Sequence, residues 1–96
     1  MIEVNVTQTG LTVEGHAGYA KKGNDIICAG VSVLAQGLIR SLNCLTDDRI
    51  SYQIRDGHID IKYENLSEQG QLLVDSFFIA VSDIQLTYGG QYVRIG

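Results

Sequence analysis

Residues 50–63 read Ile-Ser-Tyr-Gln-Ile-Arg-Asp-Gly-His-Ile-Asp-Ile-Lys-Tyr, with apolar side chains at every second position on either side of Asp56-Gly57. An Asp-Gly pair between two such runs is a strong signal for a tight hairpin turn. Hairpin strands run antiparallel, and alternation buries one face while the other meets water. This stretch therefore predicts a half-buried hairpin whose apolar face needs a covering layer from elsewhere in the chain.

A second hairpin is predicted at the start of the chain. Residues 2–7 alternate between apolar and polar, Gln8-Thr9-Gly10 supplies a turn, and residues 11–14 resume the alternation. Continued by one step, the pattern places Gly15 on the apolar face and His16 on the opposite face. We therefore expect His16 to point away from the core, unless the strand bulges or ends at Gly15.

Two helices supply the covering layer. Apolar residues recur at three- and four-residue steps after Asp25 as far as about Leu45, and again from about Ser67 to Leu86. Gln91 to Ile95 reads as a final short strand. The order hairpin, helix, hairpin, helix, strand predicts a two-layer α+β fold, an antiparallel sheet with two helices, in one domain over residues 1–96.

The apolar stripe of the second helix is wider than one sheet face needs. Val74 and Phe78 stand beside the main stripe, which is formed by Leu73, Phe77, Val81 and Ile84. The excess fits a partner subunit or a crowded core equally well.

Composition narrows the function classes. Apolar residues make up 45% of the chain and are spread along it, which argues against disorder, and the net charge of −4 argues against direct nucleic-acid binding. Met1 runs straight into a strand pattern, so no signal peptide and no membrane span are expected. We expect a reducing, cytoplasmic location, where a free thiol survives.

A histidine and a cysteine stand out near the first helix. His16 lies in the stretch Gly15-His16-Ala17-Gly18, and Cys28 lies at the start of the helix that follows Asp25. Unpaired N–H groups and the helix dipole favour a thiolate there, and a nearby histidine could take its proton. A buried structural cysteine and an idle surface histidine remain the simpler alternatives. As a nucleophile, Cys28 would use its own N–H and that of Ala29 to hold an oxyanion.

Several neighbouring residues bear on the role of His16 and Cys28. Small residues, Gly15 and Ala29, leave room beside the imidazole and the thiol, and Ser32 follows Cys28 on the same helix face. Asp25 either caps the helix or orients His16, with the cap favoured. A metal site would need two more ligands at useful spacing, so neither metal nor cofactor is expected. The joining loop is expected to be an exposed, mobile lid, with Gly18, Lys21, Lys22, Gly23 and Asn24 as its candidate residues.

Two segments carry a family resemblance. Gly15-His16-Ala17-Gly18-Tyr19-Ala20 and Asp25-Ile26-Ile27-Cys28-Ala29-Gly30-Val31-Ser32, with Gly23 between them, resemble the signature of the ribosomal-processing cysteine protease family. The spacing from His16 to Cys28 and the length of 96 residues also fit this family. The specific match covers about eighteen residues, and elsewhere only the order of elements agrees.

The resemblance implies a function. Family members remove a short N-terminal extension from the bacterial large-subunit ribosomal protein numbered twenty-seven, cutting after a pair of aromatic residues, and are typically homodimers. It implies that Cys28 is the nucleophile and His16 the general base and acid, with Asp25 and Ser32 at supporting positions. The competing hypothesis is a non-enzymatic ribosome-biogenesis adaptor that binds the same basic protein, for which a reactive thiol at a helix start has no use.

Overall fold

The computed structural model describes residues 1–96, and its elements follow the order that the sequence predicts. The strands are β1 (Ile2–Thr7), β2 (Gly10–Gly15), β3 (Ile50–Arg55), β4 (His58–Tyr63) and β5 (Val93–Ile95); the helices are α1 (Ile26–Leu45) and α2 (Glu68–Tyr88). Asp25 caps α1 and Ser67 caps α2, each through side-chain oxygen on N–H groups of the first turn. Each predicted helix therefore begins where its capping residue indicates.

The five strands form one sheet in the order β3-β4-β2-β1-β5. Both predicted hairpins pair antiparallel, as do β2 and β4, whereas β5 pairs parallel to β1. The cause is α2, which carries the chain back across the sheet so that β5 runs in the same direction as β4. Since β4 and β1 are separated by two antiparallel pairings, β5 is also parallel to β1. The two-layer α+β prediction is confirmed, and the sheet is mixed rather than wholly antiparallel.

Both layers contribute to one hydrophobic core of 18 buried residues. Ala35 and Leu42 of α1, Ile61 of β4 and Val81 of α2 are fully inaccessible to solvent. Complete burial of a valine, leucine or isoleucine side chain stabilises the fold by about 1.5–3 kcal/mol. The apolar face of the sheet and the apolar faces of α1 and α2 therefore pack together in a single core.

α1 is the most apolar element of the chain. By length and composition alone it could cross a membrane, with a mean hydropathy of 1.4 over its best window. Six of its residues are buried in the protein, where the core accounts for their apolar character. Core helices of soluble proteins pass the same test, so this helix is weak evidence for a membrane span.

α2 divides its surplus apolar residues between the core and the surface. Val74 is buried in the core, whereas Phe78 is 43% exposed. A separate row of exposed apolar side chains, Leu72, Ile79 and Leu86, follows α2 at seven-residue intervals. Because seven residues are close to two helical turns, this row lies along one side of the helix. The crowded core therefore accounts for Val74, whereas Phe78 and the exposed row are left for a partner subunit to cover.

Candidate active site

β2 ends at Gly15, and this ending decides where His16 lies. Gly15 adopts a positive φ of 95°, and a side chain there would collide with the carbonyl oxygen of Met1. Beyond it, His16 is exposed and Ala17 is buried in the core. The strand alternation therefore stops one residue before His16, which was one of the two exceptions that the sequence allowed.

Cys28 is half-buried in the first turn of α1. The N–H of Ala17 donates a hydrogen bond of 3.1 Å to its Sγ atom. The end of β2 and the start of α1 are therefore joined at the thiol itself.

Asp25 is buried beneath this junction and uses both carboxylate oxygens. Oδ1 accepts hydrogen bonds of 3.0 Å from the N–H groups of Ile27 and Cys28, which caps α1. Oδ2 accepts from the N–H groups of Tyr19 and Ala20, at 3.0 and 3.4 Å, which fixes the beginning of the loop. Asp25 thus makes the predicted cap, and its hydrogen bonds go to backbone N–H groups rather than to His16.

The charge of Asp25 is stabilised by these donors. Burial acts to raise its pKa, but hydrogen bonds from Cys28, Tyr19 and Ala20 outweigh burial and hold the pKa below the ordinary value of 3.8. A carboxylate with a lowered pKa stabilises the fold above its ordinary pKa, and that contribution is lost as the pH falls through the lowered value. Near neutral pH, Asp25 is therefore an ionised anchor for the loop and the helix.

His16 lies against the turn between β3 and β4. A side chain added at Gly57 would come within 2.8 Å of the Nε2 atom of His16, and Gly57 has a positive φ of 69°. The N–H of Gly15 also donates 2.8 Å to the carbonyl oxygen of Gly57. The imidazole of His16 therefore packs against the backbone of the turn. Position 57 favours glycine for two reasons: its φ is positive, and a side chain there would collide with the ring.

His16 and Cys28 open onto one cavity of about 680 Å³, bounded by α1, the loop and the β3–β4 turn. No hydrogen bond joins the imidazole to the thiol, whose protein partner is the N–H of Ala17. Most of the predicted site residues line this cavity, while Lys21 and Asn24 do not. Those that do are Gly15, His16, Gly18, Lys22, Gly23, Asp25, Cys28, Ala29 and Ser32.

One prediction about the helix start is wrong. The N–H groups of Cys28 and Ala29 were expected to face an oxyanion, but they donate to Asp25, to its Oδ1 atom at 3.0 Å and to its carbonyl oxygen at 3.1 Å. The cap satisfies the donors that make a helix N-terminus attractive to an anion. The N–H that instead points at the reactive atom belongs to Ala17, which lies in the stretch from Gly15 to Gly18 but was given no role by the sequence.

The loop from Gly18 to Asn24 is anchored unevenly. At its start, the ring of Tyr19 packs edge-on against Tyr88 and Tyr92, with centroids 5.7 and 5.3 Å apart. Further along, Lys22 forms an ion pair of 3.1 Å with Asp56, and both side chains are largely exposed. Because an exposed ion pair contributes little, residues 21–24 are held much less firmly than Tyr19.

We predict that Asp25→Asn destabilises the protein by about 1–3 kcal/mol near neutral pH. The NH₂ group of the amide would replace one carboxylate oxygen, and it cannot accept hydrogen bonds from the two backbone N–H groups that face it. Urea unfolding at a series of pH values measures the loss. The difference in unfolding free energy between wild type and variant should be constant above about pH 5. It should narrow below about pH 4, because Asp25 takes up a proton in the unfolded chain before it does so in the folded protein. The exposed Asp83 is the control: Asp83→Asn should change little. A gap that persists unchanged into acid would contradict the assignment.

Comparison with known proteins identifies a family that shares this sequence and fold. The sequence model of the family described as cysteine protease Prp matches residues 1–94. The ribosomal processing cysteine protease Prp of Staphylococcus aureus (strain Mu50) is 29% identical over 97 aligned positions, which cover 92% of each chain. The protein of the same description from Mycoplasma genitalium is 46% identical over 37 residues, or 38% of this chain and 37% of its own length.

Solved structures share the fold. The S. aureus processing protease Prp, crystallised with a covalently linked product peptide, superimposes with a TM-score of 0.87 at 24% identity, over 99% of this chain and 95% of its own. The structure of SMU.848 from Streptococcus mutans gives a TM-score of 0.83 at 27% identity, over 99% and 91%. With the family match spanning almost the whole chain, the protein belongs to the cysteine protease Prp family.

Proposed function

We propose that this protein is a cysteine endopeptidase that removes the short N-terminal extension of a large-subunit ribosomal protein during ribosome maturation. Cys28 is the nucleophile and His16 the general base and acid. The observation that carries the proposal is the shared cavity. The Sγ atom of Cys28 accepts a hydrogen bond from the N–H of Ala17, and His16 lines the same cavity as Cys28. The names of the curated relatives support the ribosomal substrate.

The mechanism is acyl transfer through a thioester. His16 accepts the proton of Cys28, or the pair already rests as thiolate and imidazolium, and the sulfur attacks the scissile carbonyl carbon. The carbonyl oxygen takes up the negative charge, which the N–H of Ala17 can reach because it lies 3.1 Å from Sγ. His16 then protonates the leaving amine, and water hydrolyses the thioester to release the N-terminal fragment.

The supporting residues act through position. Asp25 holds the backbone of Cys28 and the start of the loop, and so fixes the direction of the thiol. Ser32 lies one turn further along α1, within the wall of the cavity, and Gly15 and Ala29 leave room for a substrate backbone. No metal or cofactor takes part in this mechanism.

The loop is proposed to act as a lid that orders over a bound peptide. Gly18 and Gly23 have positive φ values of 71° and 92°, and a side chain at either would meet no neighbour. Between them, the Lys22–Asp56 pair is the side-chain bond that holds the loop to the β3–β4 turn. A peptide entering the cavity can therefore displace residues 21–24 at small cost while Tyr19 and Ala20 stay bonded to Asp25.

The acidic character of the protein suits its proposed partners. With a net charge of −4, the protein attracts the basic tail of a ribosomal protein and has no charge basis for binding nucleic acid directly. Such maturation takes place in the cytoplasm. A second copy of the chain is proposed to cover Leu72, Ile79 and Leu86 of α2, because a row of apolar side chains at seven-residue intervals suits helix pairing.

We predict that the purified protein cleaves a peptide covering the N-terminal extension of the ribosomal protein, following its pair of aromatic residues. Cys28→Ala should abolish cleavage, because no other atom of the site can form the thioester. Cys44→Ala is the matched control, since Cys44 is an exposed free cysteine outside the cavity, and it should cleave as wild type does. Cleavage is measured by mass spectrometry of the products.

Two results would contradict this proposal. Peptide left intact but bound by wild-type protein would favour the adaptor, and cleavage by Cys28→Ala would remove Cys28 from the role of nucleophile. His16→Ala should lower kcat by about 10²–10⁴-fold with a smaller effect on KM, as expected for loss of a general base.

We predict that hydrogen exchange at residues 21–24 slows when the same peptide binds to Cys28→Ala, which cannot consume it. The amides of Leu38, Ile39 and Leu42, which are buried residues of α1, serve as the control and should exchange at the same rate with and without peptide. A loop that exchanges equally in both conditions would contradict the lid.

We predict that Ile79→Glu converts a dimer into a monomer, because it places a charge in the middle of the proposed interface. Leu45→Glu, at an exposed apolar residue of α1, is the matched control and should stay dimeric. Sedimentation velocity measures the mass of each. A wild-type protein that sediments as a monomer at micromolar concentration would contradict the dimer.

A further inference from the structure

The turn between β3 and β4 lies against the imidazole of His16, and Asp56 of this turn lines the same cavity as the ring. The Gly57 Cα faces the ring so closely that an added Cβ would lie 2.8 Å from Nε2 and 3.3 Å from Cε1. Asp56 is the residue next to this contact, and its side chain is 69% exposed. The ring edge that carries Nε2 therefore faces the turn whose charged residue is Asp56.

The relation between ring and turn is fixed by the sheet. The N–H of Gly15 donates 2.8 Å to the carbonyl oxygen of Gly57, and Glu14 pairs with His58 in the β2–β4 register. The residue before His16 and the residue after Asp56 are thus bonded to each other directly. Movement of the loop leaves this connection intact, because no loop residue takes part in it.

The carboxylate of Asp56 is paired with Lys22. Its ammonium group lies 3.1 Å from Oδ2 of Asp56 and is the main cause of the lowered pKa of that carboxyl, to which the charge of His16 adds. Asp56 is therefore ionised throughout the pH range in which an imidazole titrates. Other charged or titratable groups near the ring are the terminal ammonium of Met1, which donates to the carbonyl oxygen of His16, and Asp25, Cys28, Arg55 and His58 of the same cavity.

We propose that Asp56 is the positioning residue of His16: its carboxylate stabilises the imidazolium and holds the ring against Gly57, and Lys22 withdraws that carboxylate while the loop is docked. An anion beside the imidazole stabilises the protonated ring that forms when the thiol loses its proton. Displacement of the loop by a peptide then frees Asp56 for His16 at the moment of catalysis. The role in catalysis rests on the proposed function, but the pairing of ring and carboxylate does not.

The imidazole titration of His16, followed by NMR, tests the pairing without a substrate. Asp56→Asn should lower the titration midpoint of His16 by about 0.2–0.7 pH unit, and more at low ionic strength. Lys22→Gln should raise it, because the carboxylate is then left to the ring. Asp56→Glu, which keeps the charge, should restore most of the wild-type value. Asp60→Asn removes the same charge from the same hairpin outside the cavity and is the control that should leave His16 unchanged.

Opposite shifts in Asp56→Asn and Lys22→Gln are the result that the pairing requires. An unchanged midpoint in Asp56→Asn, or shifts of both variants in one direction, would overturn it and reduce Asp56 to a tether for the loop. Kinetics then test the catalytic part: Asp56→Asn should lower kcat by about two- to fivefold with KM unchanged and displace the pH profile to lower pH. If wild-type protein leaves the peptide intact, the proposed function fails, while the titration still decides the pairing.

Discussion

The arrangement of the site depends on the buried carboxylate of Asp25. Its two oxygens accept four backbone N–H groups, two from the first turn of α1 and two from the start of the loop. Satisfying these donors offsets the cost of burying a charge, and it ties the first turn of α1 to the start of the loop. Cys28 is presented by this network, because its own N–H is one of the four donors.

The sheet supplies the other half of the site. β2 ends at Gly15, so Ala17 turns its side chain into the core and its N–H to the sulfur of Cys28. His16, between them, is left exposed and lies on Gly57 of the neighbouring hairpin. The thiol thus belongs to a helix start and the imidazole to a strand end, and the core that packs helix on sheet brings the two into one cavity. Only the Lys22–Asp56 ion pair joins a side chain of the loop to a side chain of the β3–β4 turn across that cavity.

Local patterns were enough to predict the secondary-structure elements. Alternation and Asp-Gly predicted the hairpins, the capping position of Asp25 predicted the start of α1, and the stretch around His16 and Cys28 predicted one site. The strand alternation predicted that His16 points away from the core, and His16 is exposed, but only the packing of Gly15 against Met1 shows that the strand ends there. The oxyanion donors were misassigned because capping uses the N–H groups of Cys28 and Ala29. Pairs distant in sequence, such as Lys22 with Asp56 or β1 with β5, leave no local pattern to read.

The central claim is that Cys28 is the nucleophile for a peptide seated in this cavity. The most direct measurement uses a peptide of the ribosomal extension that ends, after its aromatic pair, in a chloromethyl ketone, followed by mass mapping of the labelled protein. The account predicts a single label on Cys28, absent in Cys28→Ala and formed more slowly in His16→Ala. Equal labelling of the exposed Cys44, or no labelling of Cys28, would contradict it.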